Sequence, residues 1–124
     1  MPNPNSVSVT VDTSDPSNPV VACNPDTLNV SRSAGQGNVP ITFTCDTAGW
    51  QFPDSTPSAG DMYGISINGN SSGEFSGATR SGNGQQVVIQ DADDNNTSYS
   101  YTVQVVNPAT GQTAGVDPTI KNQP

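Results

Sequence analysis

Ser98 to Asn107 reads SYSYTVQVVN, and it alternates without a break. Tyr99, Tyr101, Val103 and Val105 fall on one side, and Ser98, Ser100, Thr102 and Gln104 on the other. A side-chain period of two fits a half-buried β-strand and no helix. The residues themselves are aromatic or β-branched, which suits a pleated surface. A polar run, Asp91 to Thr97, leads into the stretch and Pro108 closes it. This predicts the central strand of an all-β domain.

The same period recurs on both sides of it. Val7, Val9 and Val11 alternate with Ser8 and Thr10, and Ile41, Phe43 and Cys45 alternate with Thr42 and Thr44. Val21 with Cys23, and Leu28 with Val30, flank Asn24-Pro25-Asp26, which predicts two short strands or one strand bent at Pro25. Trp50 and Phe52 continue the pattern briefly before Pro53 and the cluster from Pro57 to Gly60 impose a loop. Ile65 and Ile67, Phe75, then Val87 and Ile89 mark further strands. Val116 and Ile120 suggest a last one, interrupted by Pro118 and therefore expected at a sheet edge. No window keeps a helical apolar stripe free of Gly or Pro. The expectation is a single domain over residues 1–124: an antiparallel β-sandwich, immunoglobulin-like in general layout, with about eight or nine short strands.

A chain of 124 residues can bury roughly two-thirds of its unfolded surface in one core. Its apolar fraction is 31%, below the globular norm of roughly 45–50%, so many short strands must share that core. The inward set is expected to be Val9, Leu28, Val30, Ile41, Phe43, Trp50, Ile65, Ile67, Phe75, Val87, Ile89, Tyr99, Tyr101, Val103 and Val105. The formal charge is -8, and Arg32, Arg80 and Lys121 are the cations. Nucleic acid is excluded as a partner, because phosphate affinity rests on clustered Lys and Arg. Anionic membrane surfaces are disfavoured for the same reason. No run reaches the roughly 18 apolar residues of a membrane span, so no membrane insertion is expected. The opening MPNPNSVSVTVD shows no signal peptide, which leaves the compartment undecided between the cytoplasm and secretion with a removed leader.

Two resemblances follow from these residues. Tyr99-Ser100-Tyr101, entered through Asp94-Asn95-Asn96, resembles the start of strand F in immunoglobulin-like domains, although Tyr101 stands where those domains carry Cys and Trp50 follows both cysteines. The GWxF element at Gly49 to Phe52, the GIxI strand at Gly64 to Ile67, the Asp-rich turn with its Tyr/Val strand and the closing DPTIKNQP resemble the uncharacterised bacterial DP-EP family. Asp117-Pro118 matches the first dipeptide of its name, and Gln123-Pro124 departs from the second. That resemblance implies a small bacterial β-sandwich and supplies no catalytic residue.

Candidate sites are few. Cys23 and Cys45 both fall on inward faces, and either a disulfide or two buried thiols fits. The chain contains no His, so neither a Cys-His or Ser-His pair nor a tetrahedral zinc site can form, and no cofactor is expected. Asp91, Asp93 and Asn95 open like an oxygen-rich cation loop, but Asn96 stands where the calcium loop needs Gly and Thr102 where it needs Glu. Calcium is therefore a weak candidate against a solvated turn. Trp50 and Tyr63, with Asp54 and Asp61 in the loop between them, could hold a sugar by ring stacking and hydroxyl contacts; core anchoring of the aromatics competes with this. The leading expectation is a non-catalytic interaction or structural module that meets a protein, or a second copy of itself, through an edge strand. A carbohydrate-binding module comes second, and an enzyme third.

Overall fold

A computed structural model describes residues 6–15, 17–24, 26–31, 39–54, 62–68, 75–91 and 98–123. Those residues form ten strands and no helix. In chain order they are β1 (Ser6–Asp12), β2 (Val20–Asn24), β3 (Thr27–Ser31), β4 (Val39–Cys45), β5 (Ile65–Ile67), β6 (Phe75–Arg80), β7 (Gln86–Asp91), β8 (Ser98–Asn107), β9 (Gln112–Val116) and β10 (Thr119–Gln123). One sheet runs β2-β1-β4-β7-β6. The other runs β3-β10-β8-β5, with β9 also paired to β8. The all-β sandwich is as expected, but its sheets are mixed rather than antiparallel: β1 runs parallel to β4 and β3 parallel to β10.

Tyr99, Tyr101, Val103 and Val105 of β8 are buried, and Ser98, Ser100 and Gln104 are exposed. Odd positions also turn their main chain toward β9 and β10, and even positions toward β5. Tyr101 N thus donates to Pro118 O at 3.0 Å, while Gln104 N donates to Gly64 O at 2.9 Å. The two sheets meet through edge-to-face rings, Phe43 on Tyr101 with centroids 5.7 Å apart and Phe75 on Tyr99 at 5.0 Å. Such pairs contribute about 0.5–1.5 kcal/mol each beyond the area they bury. All fifteen residues expected to face inward are buried. Val7, Val11, Val21, Val39, Phe52, Met62 and Ile120 join them.

Pro118 is not at an outer edge. Val103 faces Val116 and Ser100 faces Thr119, so one register runs through β9 and β10 along β8, and β3 covers the far side of β10. The proline ring replaces only the N–H that would have faced Tyr101.

Gln51 to Phe52 is a strap between the sheets. Gln51 exchanges two main-chain bonds with Val106 of β8, at 2.9 and 2.8 Å. Phe52 N then donates to Gly84 O at 2.8 Å, and Arg80 Nε donates to Phe52 O at 3.1 Å, both on the first sheet. Just beyond, Met62 and Ile65 exchange bonds across Tyr63 and Gly64, whose φ angles of 56° and 87° make a two-residue hairpin turn of the primed type. A Cβ on Gly64 would lie 2.4 Å from Gln104 O and 2.7 Å from Pro53 Cδ. Gly49, at φ 86°, has open space around that position. Gly64→Ala is therefore expected to cost on the order of 3 kcal/mol or more, and Gly49→Ala only about 1 kcal/mol of backbone strain. Urea unfolding of the two variants checks this, and equal losses would contradict it.

The Tyr101 hydroxyl is buried with no hydrogen-bond partner, and burial raises its pKa. Deleting an unsatisfied hydroxyl removes a desolvation penalty. Tyr101→Phe is expected to leave the urea midpoint unchanged or raise stability by about 1 kcal/mol. A loss of that size would mean that the hydroxyl has a partner.

Candidate functional site

The cysteines are free, and the expected bridge is ruled out by register. Cys23 pairs with Val9 on one side of β1, and Cys45 pairs with the same Val9 on the other. All three share the inward face, but β1 lies between the thiols. Two strand spacings, roughly 9.6 Å, exceed the limit of about 7 Å between Cα atoms for a disulfide. Burial, with a smaller effect from the Asp26 charge, pushes the Cys23 thiol up to about 11. Burial also raises Cys45, with opposition from the Thr47 backbone and reinforcement from Asp46. Cys45 Sγ lies 3.4 Å from Trp50 O and donates to it.

A folded thiol pKa above the unfolded one means that the unfolded chain loses its proton first. Stability is then full below the ordinary thiol range near 9 and falls as pH rises from there toward 11. Cys23→Ser is expected to flatten the fall in melting temperature across that window. An unchanged slope would contradict the assignment.

The expected sugar platform does not form as such. Trp50 is 3% exposed, with its ring in the core. Phe52 is fully buried, and Tyr63 is half-buried against the core. Asp54 is exposed, and Asp61 lies outside the described residues. The aromatic residues that looked available for stacking are the anchors of the strap, because a core with few large side chains needs them. Asp91 is likewise no part of a solvated turn: it is the last residue of β7, fully buried beside Val39 and Phe75 in the ladder. Asp93 and Asn95 lie outside the described residues. Among the described residues no three His, Cys, Asp or Glu side chains come together as a metal site. Asp12, Asp15, Asp26, Asp46, Asp54 and Asp117 are all exposed.

What the fold does present is an open sheet edge. The β2–β3 segment leaves the first sheet at Asn24 and enters the second at Thr27, so it lines one flank of the sandwich. Thr119 N donates to Asp26 O at 3.0 Å. Alternation along that parallel ladder turns the main chain of Leu28 and Val30 toward β10 and that of Thr27, Asn29 and Ser31 outward. In β2 the outward groups belong to Val21 and Cys23, because Val9 O and Val11 N face away from β2, toward Asp46 and Thr47.

The edges are protected unequally. β6 carries a register shift between Ser76 and Thr79, with Gly77 at φ 65°. β5 is three residues long, and β2 lies alongside β9. Bulges, short length and neighbouring chain are the usual devices against edge pairing. β3 has none of them among the described residues, and it carries no charged residue from Thr27 to Ser31. The inward alternation of Leu28 and Val30 was legible in the sequence, but the direction of the main chain was not, since it depends on which strand lies alongside.

No family model matches the chain, and no curated protein matches it either.

Proposed function

We propose that the chain is an immunoglobulin-like β-sandwich acting as a non-catalytic interaction module, which takes an extended segment of a protein partner onto the β3 edge. The observation that carries this reading is the row of outward main-chain groups at Thr27, Asn29 and Ser31 on an uncharged, unbulged edge. Strand addition draws its affinity from such groups and its specificity from alternate side chains. The immunoglobulin-like layout is supported by β4, β7 and β6 lying in one sheet and β5, β8 and β9 in the other. The parallel β1–β4 pair departs from that plan. A non-catalytic role is supported by the absence of His from the sequence and by the scatter of the described exposed carboxylates. The DP-EP resemblance implies the same kind of small sandwich and no partner.

The test is to select short unstructured peptides from a displayed library and map their binding by amide chemical shifts. The amides of Thr27, Asn29 and Ser31 are expected to move, and those of Gln51 and Tyr63 to stay. Shifts centred on Trp50 to Tyr63, or a glycan that produces them, would overturn the reading in favour of a carbohydrate module.

A further inference from the structure

The β3 edge is complementary to itself. An antiparallel copy can be laid against it in a register that sets Asn29 opposite Asn29, Thr27 opposite Ser31 and Leu28 opposite Val30. In that register every outward-turned residue of the strand meets another outward-turned residue, and each such pair exchanges both of its main-chain bonds. A two-fold axis normal to the sheet keeps Leu28 and Val30 of both copies on the core side, so the buried face continues across the junction. A slip of one residue loses this match, because it sets outward main-chain groups against groups already bonded to β10.

Charge selects the same arrangement. A chain of net charge -8 repels its own copy over most of its surface, and β3 carries no charge over its whole length. The strand begins after exposed Asp26, and the sequence continues past its end with Arg32. An antiparallel copy therefore brings an acidic strand start to a basic strand end, twice by symmetry. We infer that β3 pairs with β3 of a second copy of this chain, joining two sandwiches through one continuous sheet. The inference rests on the edge-strand reading above and names the partner. Five residues from each copy make a small junction of the weak, reversible class, so association is driven by protein concentration.

Sedimentation equilibrium over a wide concentration range tests it. The wild-type mass is expected to rise toward that of a dimer. Asn29→Pro removes an outward N–H that β10 does not use, a position where an edge strand tolerates proline. That variant is expected to keep its melting temperature and to sediment as a monomer. Asp26→Arg is expected to weaken association by about ten-fold, and adding Arg32→Asp is expected to restore it. If Asn29→Pro fails to fold, the charge exchange decides: restoration supports the pairing, and no restoration overturns it. A strictly monomeric wild type, or a dimer that survives Asn29→Pro, also overturns it. Peptides that still shift the β3 amides would then leave the edge-strand reading standing without self-association.

Discussion

The structure depends on β8 being hydrogen-bonded along both edges while its inward face fills the core. Ten consecutive residues present main-chain groups to both sides, and each buried one needs a partner. On one side β9 and β10 supply them in a single register that passes through Pro118. On the other side no single strand is long enough, so the row is assembled from β5, Gly64 and Gln51. This divided edge explains why the segment from Trp50 to Gly64 carries its glycine and its unusual Tyr63 backbone. It must bond to Val106, cross to Gly84 and Arg80, and return beside Gln104 within a few turns of chain.

The other governing constraint is a shortage of apolar residues. With 31% hydrophobic residues, both sheets contribute alternate positions, and the large rings are used as inter-sheet contacts and anchors rather than displayed. Trp50 and Phe52 hold the strap, while Phe43 and Phe75 meet the tyrosines of β8. What remains outside is neutral and polar, with charge confined mostly to turns. The flank formed by β2 and β3 follows from the same economy. Its inward residues satisfy the core while its outer main-chain row stays free, so the feature that completes the sandwich also makes it able to pair.

The sequence was most legible where information is local. Strict alternation gave β8 its bounds at Ser98 and Asn107 and identified the inward residue of each strand, because facing is a property of one segment. Neighbour identity is not local. Cys23 and Cys45 read correctly as sharing a face, yet the strand between them could be known only from the parallel placement of β1 on β4. Pro118 was expected at an edge from its missing donor, but β3 covers that region and the chain gives up one bond instead. Trp50 could be read as a platform or an anchor until its surroundings were known, and the anchor reading prevailed. The free β3 edge left no mark in composition or motif beyond an uncharged alternating segment next to Asn-Pro-Asp.

Amide hydrogen exchange at low protein concentration tests the central claim most directly, because it reads main-chain pairing residue by residue. The account predicts the slowest exchange in β8 from Tyr99 to Val105. Within β3 it predicts alternation, with Leu28 and Val30 protected by β10 and Thr27, Asn29 and Ser31 exchanging much faster. Uniform protection along β3 at dilution, or faster exchange in β8 than in the sheet edges, would contradict it.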